Sequence, residues 1–555
     1  MSAWLPALRR RPVARVLPHW TLSTETLVAC AALYFSLACN GLFWQGALAA
    51  GAGSAMRLPA LLLVLTGTHA LLLGLLVWRW NARVVLAVLL LLSAAASHYM
   101  GRYHIYLDAD MLRNVLATDR HESSELLTAS LLPPLLLLGL LPALLLWRIR
   151  LVRPSLRRQL AMRAALLLGA LLAIAGGALL AFQDLSSLAR NQRELRYLAT
   201  PANILVGLAR VLRADPPTRH PPRQPIGIDA NAAPRAPGAR PRLLVLVVGE
   251  TVRAQNWGLN GYRRQTTPEL ALTGAINFPD MHACGTATEV SLPCMFSPWG
   301  RHDYDEARIR GHQSLLHVLE HAGIATLWRD NQSGCKGVCE GLALERMQDS
   351  PRPDLCDGSQ CLDAILLDRL AERVRARPGD QVVVLHGLGN HGPAYFERYP
   401  AAYRRFTPTC DSPDLGRCSR EQVVNSYDNA VLYTDHVLAR AIATLQGLED
   451  YDTALIYVSD HGESLGEKGL YLHGVPWRIA PQEQTRVPLL MWFSAGFASG
   501  RGLDLACLRE RAGRRAQHDD LFSSVLGLMQ VRTSLYQPAR DLAAGCTTGA
   551  PFPPR

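Results

Sequence analysis

Long apolar runs dominate the first third of the chain and are absent from the rest. Five runs, made mostly of Leu and Ala, cover residues 26–44, 58–78, 84–98, 126–147 and 164–182. Four of them have about the length of 20 residues with which a helix crosses a bilayer, and the third needs tilt or interfacial flanks. The pattern therefore predicts an N-terminal transmembrane domain of five helices.

Arginines beside these runs indicate the orientation. By the positive-inside rule, loops rich in arginine lie in the cytoplasm. An odd number of spans then places everything after residue 182 on the outer side. No small-residue cleavage site follows the first run, so we interpret it as an anchor. The arginines stand before run one, between runs two and three, and between runs four and five: Arg9, Arg10, Arg11, Arg15, Arg79, Arg83, Arg148, Arg150, Arg153, Arg157, Arg158 and Arg163.

A polar loop over 101–125 is predicted on the outer side. It carries Asn114, Thr118 and Glu122 at a spacing of four, which places them on one face of a helix. This face is either solvated or grips a lipid headgroup at the membrane boundary, and the spacing leaves both open. Residues 184–199 predict a helix along the membrane surface. Residues 215–242, rich in Pro, Arg and Ala, predict a linker.

After the linker the pattern changes to short strands that alternate with helices. Runs at 243–248, 381–385 and 454–458 are typical of strands buried on both faces. Helices are predicted at 313–322, 362–375, 425–448 and 520–529. We therefore predict an α/β sandwich, a mostly parallel sheet with helices on both faces. The domains are then 1–183 in the membrane, 184–242 as interfacial helix and linker, and 243–555 outside.

Charge and cysteine content narrow the function classes. The net charge is +11, but only two residues are lysine, and the arginines flank apolar runs. No basic and aromatic motif for nucleic acid is present. Ten of the twelve cysteines follow residue 243, and their spacing favours disulfides in an oxidising compartment over a zinc ribbon. The close pairs are 284/294, 335/339, 356/361 and 410/418, and 507/546 is left as a fifth.

Polar groups collect just after the predicted strands, where open α/β sheets carry their reactive residues. An isolated Asp-His pair is more often a capped turn, but here four loops carry such groups. Together they are the donor set of a metal-assisted transferase. The residues are Glu250, Thr286, Thr288, His386, His391, Asp460, His461 and His473.

The hydroxyl and the metal-binding groups imply one another. A bound metal lowers the pKa of water from about 15.7 to about 7, whereas a single hydrogen bond contributes only about 1 kcal/mol. A threonine nucleophile without a metal or an N-terminal amine is rare. Thr286 and Thr288 are equal candidates on this argument. His386 lies on the strand side of its loop, and we interpret it as structural.

The motifs resemble those of the lipid A phosphoethanolamine transferases, a family within the alkaline phosphatase/sulfatase superfamily that includes the mobile colistin-resistance enzymes. The resemblance covers nearly the whole chain. The matching segments are GET (249–251), CGTATEVSLPCMFS (284–297), LWRDNQSGCKG (327–337), GNHGPAYF (389–396), YDNAVLYTD (427–435) and YVSDHGESLGEKGLYLHG (457–474).

The resemblance implies a role for each matching residue. Thr288 matches the nucleophile, and Glu250, Asp460 and His461 match the other ligands of one tightly bound Zn²⁺. The remaining matches concern substrate. His391 and His473 contact the phosphorylated intermediate or a second, weaker zinc and serve as proton carriers, Lys336 contacts phosphate, and Asn114, Thr118 and Glu122 bind the headgroup.

Two positions depart from the family pattern. Glu289 follows the nucleophile where relatives often have a small residue, and Gln332 replaces an asparagine. We expect both to tune the choice of acceptor and neither to touch the metal set. Glu463 and Glu467 are interpreted as solvated or loop-capping rather than as ligands.

The resemblance implies transfer of phosphoethanolamine from phosphatidylethanolamine to a lipid A phosphate through a phosphothreonine intermediate, which favours polymyxin resistance. The expected protein is a monomer of the bacterial inner membrane with a cytoplasmic N terminus and a periplasmic catalytic domain. Two alternatives stay open: transfer of phosphoethanolamine or phosphoglycerol to a core sugar or periplasmic glucan, and a silent lipopolysaccharide-binding protein. The absence of a Cys-x-Pro-x-Arg segment argues against a sulfatase.

Overall fold

The computed structural model describes residues 20–49, 55–117, 120–192, 194–214, 222–350, 352–358 and 360–548, without the side chains of 117–122. The chain forms two compact units. The first combines Met1–Ser97, Leu132–Gln192 and Ala199–Ala202; the second combines His98–Leu131, Arg193–Leu198 and Asn203–Arg555. The predicted domain boundaries at 183 and 242 stay a prediction.

Apolar helices build the first unit. Within the described residues, four helices are long and apolar enough to cross a membrane: Arg57–Leu76, Ala82–Tyr103, Ala129–Arg148 and Leu156–Leu180. Thr24–Ala38 and Gly41–Ala49 meet at 55° and give a fifth span if they act together. The bend lies at Asn40, whose amide donates to the carbonyl oxygens of Phe35 and Thr200. These helices fall on the five predicted apolar runs.

Small residues and one buried ion pair hold these helices together. A Cβ atom at Gly67 would lie 2.8 Å from the Ala170 carbonyl oxygen, so only glycine permits this close helix approach. Arg163 lies 3.1 Å from Glu25 and also donates to the Val77 carbonyl oxygen at 2.9 Å. Residues 20–22 and 149–151 add a two-stranded parallel sheet, Trp20–Leu22 with Ile149–Leu151.

The stretch after the last apolar helix differs from its prediction. A single helix over 184–199 was wrong: Phe182–Asn191 and Leu195–Leu198 are separate helices. Ala202–Ala214 forms a further helix that begins directly after Pro201, a residue that favours a helix start. In the described part of the predicted linker, Asn231–Ala232 pairs antiparallel with Val531–Arg532.

An eight-stranded sheet forms the centre of the second unit. The strands are β1 Arg242–Gly249, β2 Ile276–His282, β3 Ala325–Asp330, β4 Leu344–Arg346, β5 Gln381–His386, β6 Asp452–Ser459, β7 Arg486–Phe493 and β8 Ala516–Gln517. Their order in the sheet is β8-β2-β7-β6-β1-β5-β3-β4. Only the pairings of β7 are antiparallel, so the predicted mostly parallel sheet is confirmed.

Helices cover both faces of this sheet, as β1 illustrates. Leu244, Leu246 and Val248 belong to one buried cluster, and Leu243, Val245 and Val247 to another. Alternate side chains point to opposite faces, so a strand buried on both faces is apolar throughout. The helices of this unit are Ala109–Ala117, Arg120–Leu126, Leu195–Leu198, Ala202–Ala214, Thr288–Met295, Glu306–Gly311, Leu315–His321, Leu370–Arg375, Arg420–Gln446, Gln482–Thr485, Ala495–Arg501, Leu505–Ala512 and Leu521–Leu528.

Two predicted helices show how local residues set the boundaries. The helix expected over 362–375 is divided, because Arg369 adopts a left-handed φ of 51° between Asp363–Leu367 and Leu370–Arg375. The helix expected from 425 begins earlier, at Arg420, where Ser419 and Gln422 form a capping box.

All five cysteine pairs grouped from the sequence are disulfide-bonded. Among the described residues, Cys30 and Cys39 are the free cysteines. The bonds are Cys284–Cys294, Cys335–Cys339, Cys356–Cys361, Cys410–Cys418 and Cys507–Cys546.

Candidate active site

Two neighbouring strands bring the carboxylates of the site together. Glu250 follows β1, and Asp460 and His461 follow β6. The strands are parallel and place Gly249 opposite Ser459, so the residues after them emerge side by side. Thr288 begins the helix Thr288–Met295 inside the Cys284–Cys294 disulfide loop. All four functional side chains are buried.

Their polar atoms converge on one point. The Thr288 hydroxyl donates to Oε2 of Glu250 at 2.9 Å and lies 3.3 Å from Nε2 of His461. The same nitrogen lies 3.3 Å from Oε1 of Glu250 and 3.3 Å from Oδ2 of Asp460. One ligand atom from each of Glu250, Asp460 and His461 fits within 4.8 Å of the others.

The donor set fits a metal ion. Within the described part of the chain, Oε1 of Glu250 and Oδ2 of Asp460 have no hydrogen-bond partner, although both are buried. Two buried carboxylate oxygens left in this way are costly unless a cation compensates them. Oxygen and imidazole donors around a small gap suit a divalent ion such as zinc.

The pKa values show how strongly this pocket attracts positive charge. Burial and the charge of Glu250 raise the pKa of Asp460 above its usual value. Burial lowers the pKa of His461, but Asp460 and Glu250 outweigh it and raise the value to about 10. Burial opposes ionisation of Glu250 as well, yet the neighbouring His461 holds its pKa below the usual value. The pocket therefore favours a bound cation.

Backbone contacts orient the ligands. Nδ1 of His461 donates to the Gly462 carbonyl oxygen at 3.0 Å, which turns the other ring nitrogen toward the site. Oδ1 of Asp460 accepts from the His461 backbone at 2.7 Å and from the Thr251 backbone at 3.3 Å. Thr251 has a φ of 56°, which is strained for a β-branched residue and is held by the Tyr427 hydroxyl at 2.7 Å.

Two residues that sequence reasoning missed fix the helix Thr288–Met295 to β6. Ser291, one turn after Thr288, donates to the Asp460 carbonyl oxygen. Nδ1 of His518 accepts from the Cys284 backbone at 3.1 Å, and its Nε2 donates to the Ser459 carbonyl oxygen at 3.0 Å. Burial lowers the pKa of His518 to about 4, so it is neutral at pH 7. No local sequence signal marks His518, because its contacts are tertiary.

The two threonines that the sequence left as rivals occupy different places. The Thr286 hydroxyl donates to the Val475 carbonyl oxygen at 2.8 Å. Thr288 is the threonine that contacts the carboxylate cluster. His386 is buried, with Nδ1 2.7 Å from Oδ1 of Asp330.

Two further histidines lie beside the cluster. The ring centroid of His473 is 4.5 Å from that of His461 and 5.4 Å from that of His391. Burial lowers the pKa of His391 to about 3, against the opposing charge of Glu250.

The interpretation of Glu463 as solvated or loop-capping was wrong. Glu463 is fully buried, and its Oε2 lies 3.1 Å from Nδ1 of His473. The hairpin Ser464–Glu467 with Leu470–Leu472 returns the chain to this point, which the sequence spacing did not reveal. Glu467 accepts from the Leu465 backbone at 2.7 Å and thus caps its loop.

The two family departures both lie close to the site. Lys336 Nζ is 3.0 Å from Oε1 of Glu289. Gln332 Nε2 donates to Oε2 of Glu250 at 3.1 Å, so the expectation that neither departure touches the metal set was wrong. The order β1-β5-β3 places Gln332 two strands from Glu250, and its long side chain reaches across.

The predicted headgroup residues are only partly described. Asn114 lies on the helix Ala109–Ala117. Thr118 lies outside the described residues, and the side chain of Glu122 does as well, although its backbone belongs to the helix Arg120–Leu126. Their common face stays a prediction.

The α/β sheet, with this site at the carboxyl ends of its parallel strands, defines the class of protein. The family model described as Sulfatase matches residues 242–531, which places the domain in the alkaline phosphatase/sulfatase superfamily. A second model, Phosphoethanolamine transferase EptA/EptB, matches residues 65–215. The chain is 37% identical over 542 residues to phosphoethanolamine transferase EptA of Escherichia coli (strain K12), which covers 96% of this chain and 98% of that relative.

Two further relatives agree. The phosphatidylethanolamine transferase Mcr-1 of Escherichia coli is 36% identical over 426 residues, covering 75% of this chain and 79% of Mcr-1. The integral membrane protein lipooligosaccharide phosphoethanolamine transferase A (EptA) from Neisseria meningitidis superposes with a TM-score of 0.90 at 37% identity. The match covers 96% of this chain and 100% of the Neisseria chain. The chain belongs to the phosphoethanolamine transferase family. The family and fold class predicted from the sequence are confirmed.

Proposed function

We propose that the protein transfers phosphoethanolamine from phosphatidylethanolamine to a phosphate group of lipid A. The observation that carries the proposal is the Thr288 hydroxyl, 2.9 Å from Glu250 and 3.3 Å from His461, in a buried cluster that fits a metal ion. A hydroxyl in this environment suits a nucleophile better than a structural role. The family supports the phosphoethanolamine group, and the motif resemblance supports lipid A as acceptor.

In the first half of the reaction, Thr288 Oγ1 attacks the phosphorus of phosphatidylethanolamine. A bond forms from the threonine oxygen to phosphorus, and the bond from phosphorus to the diacylglycerol oxygen breaks. The leaving oxygen takes a proton and departs as diacylglycerol, so phosphoethanolamine stays on Thr288. In the second half an oxygen of a lipid A phosphate bonds to the same phosphorus, and the bond from phosphorus to Thr288 Oγ1 breaks. The threonine oxygen takes up the proton that the attacking phosphate loses and is a hydroxyl again.

The side chains around Thr288 divide the work of this exchange. Glu250 Oε2 accepts the hydroxyl's hydrogen bond and orients its oxygen. His473 and His391 are the proton carriers, and Lys336 stabilises charge on the phosphoryl oxygens. Zinc, when bound, would stabilise the threonine as an alkoxide and offset phosphoryl charge.

The ligands of that ion would be Glu250, Thr288, Asp460 and His461, a set of four that suits zinc. We propose one tightly bound zinc. His391 and His473 lie close enough together to leave a second, weaker ion open.

The same proposal includes the setting of the enzyme. It is a monomer in the bacterial inner membrane with a cytoplasmic N terminus, and its domain boundaries lie at residues 183 and 242. Its catalytic domain faces the periplasm, an oxidising compartment in which its five disulfides are stable. Asn114, Thr118 and Glu122 bind the lipid headgroup. Each transfer adds an ammonium group to lipid A, which weakens the attraction of cationic polymyxin.

Two measurements test the function. The detergent-solubilised protein is expected to release diacylglycerol from a fluorescent phosphatidylethanolamine, and cells that express it are expected to contain lipid A heavier by one phosphoethanolamine group. If the phosphoethanolamine is found on a core sugar or on periplasmic glucan instead, that molecule and not lipid A is the acceptor. If folded, zinc-loaded protein releases no diacylglycerol, the proposal that it is a phosphoethanolamine transferase is refuted.

Glu463→Gln is expected to slow diacylglycerol release about tenfold, because the carboxylate orients His473, a proposed proton carrier. The amide keeps the shape of the side chain but removes the negative charge that lies 3.1 Å from Nδ1 of His473 and orients that ring. The measurement is single-turnover release of diacylglycerol. Glu467→Gln is the control, because Glu467 contacts Arg253 and Arg420 instead of a histidine and its loss should leave the rate within about twofold. Equal rates in both variants would contradict the role given to His473.

A further inference from the structure

A closed ring of contacts between polar residues includes the candidate nucleophile, Thr288. The ring begins at Oε2 of Glu250, which accepts from the Thr288 hydroxyl at 2.9 Å and from Gln332 Nε2 at 3.1 Å. Two groups thus share one carboxylate oxygen. We name this the hydrogen-bonded ring, and its members are Glu250, Thr288, Glu289, Gln332, Ser333 and Lys336.

The other side of the ring runs through the loop after β3. The Ser333 hydroxyl donates to Oε1 of Gln332 at 2.7 Å, and Lys336 Nζ donates to the Ser333 oxygen at 2.8 Å. Lys336 Nζ also lies 3.0 Å from Oε1 of Glu289. Glu289 follows Thr288 along the chain, which closes the ring. Every noncovalent link of the ring has a donor and an acceptor of matching type.

The position of Lys336 is tightly specified. Its side chain is 8% exposed, and its φ of 48° is unusual for a residue other than glycine. The Cys335–Cys339 disulfide encloses it. Strain of this kind persists only where the surroundings hold it, so the backbone that presents the ammonium group is held in place.

Glu289 is fixed from its other side as well. Its Oε2 lies 3.2 Å from Arg310, which also donates to the Glu289 carbonyl oxygen at 2.7 Å. A lone carboxylate beside the nucleophile would repel a phosphodiester. Paired with Lys336 and Arg310, it instead reduces the positive charge that Lys336 offers to a phosphoryl group.

We propose that Glu289 is a positioning residue for the transfer reaction that acts through Lys336. It holds the ammonium group beside the residue that follows Thr288 and moderates its affinity for phosphate, and Ser333 and Gln332 link that position to Glu250. The inference rests on the proposed function. Donor, acceptor and intermediate are all anionic phosphates, so an unmoderated lysine would bind them too tightly and slow their exchange.

The test uses full-length enzyme in detergent micelles with fluorescent phosphatidylethanolamine as substrate and inorganic phosphate as inhibitor. Glu289→Gln keeps the shape and removes the charge. We expect phosphate inhibition to tighten about tenfold, and KM and kcat both to fall. Glu306→Gln is the matched control, because it removes a carboxylate charge that lies on the other side of Arg310. Oε1 of Glu306 is 3.1 Å from Nε of Arg310. This variant should leave phosphate inhibition within about twofold.

A double-mutant cycle separates this role from a structural one. In a Lys336→Ala background, Glu289→Gln should no longer change phosphate inhibition, since the lysine through which it acts is gone. Ser333→Ala should lower kcat with a smaller change in inhibition. An unchanged inhibition constant in folded Glu289→Gln, or the same shift with and without Lys336, overturns the inference. If Thr288→Ala still releases diacylglycerol, the proposed function fails instead.

Discussion

Thr288→Ala is expected to lower diacylglycerol release by about 10⁴-fold while the protein stays folded and inserted in the membrane. The reason is geometric. The Thr288 hydroxyl is the one that contacts both Glu250 and His461 among the described residues, and no neighbouring hydroxyl can replace it. Removing it leaves Glu250, Asp460 and His461 in place without the oxygen that we propose attacks phosphorus. The measurement is the rate of release from fluorescent phosphatidylethanolamine, with melting temperature as the folding check.

Thr286→Ala is the matched control. It removes the same group two residues away, where the hydroxyl donates to the Val475 carbonyl oxygen at 2.8 Å. We expect a loss of about 1 kcal/mol in stability and less than a tenfold loss in rate. In the wild type without acceptor, peptide mass spectrometry should find phosphoethanolamine on Thr288. Wild-type release by Thr288→Ala, or an adduct on Thr286, would exclude Thr288 as the nucleophile.

Much of the fold follows from periodicity. Each apolar run is long because a membrane helix satisfies its own backbone and must be apolar all round. β1 is apolar at every position because both faces are covered. Reactive residues of open α/β sheets lie just after the carboxyl ends of strands, which predicts that Glu250 and Asp460 share one edge of the sheet. They do so because the neighbouring parallel strands β1 and β6 end side by side.

Contacts across the fold could not be predicted in the same way. Gln332 reaches Glu250 only because β3 and β1 flank β5, an order that no local pattern encodes. Glu463 looked solvated because its loop is rich in glycine and charge, yet the hairpin after it buries the carboxylate against His473. Arg369 divides a predicted helix through a left-handed φ that composition does not reveal.

Zinc removal is the second large effect. The purified protein is expected to hold about one zinc tightly, and a ligand at 100 times its Kd adds about 2.7 kcal/mol to stability. A strong chelator should therefore lower the melting temperature and stop diacylglycerol release, and added zinc should restore both. Glu250→Gln and Asp460→Asn should hold less than a tenth of the wild-type zinc, since each removes one ligand. Glu467→Gln, a carboxylate of the same loop that pairs with Arg253, should keep it.

The sign of the stability change separates a metal site from an ordinary buried network. With zinc, wild type should melt above Asp460→Asn. Without zinc the two melting temperatures should be equal or in the opposite order. Burial and the charge of Glu250 raise the pKa of Asp460, and the variant removes this buried carboxylate, which Glu250 repels. If the Asp460 carboxylate served only as a hydrogen-bond acceptor, its replacement would destabilise the protein equally with and without zinc. Equal losses with and without zinc, together with unchanged zinc content, would therefore remove Asp460 from the ligand set.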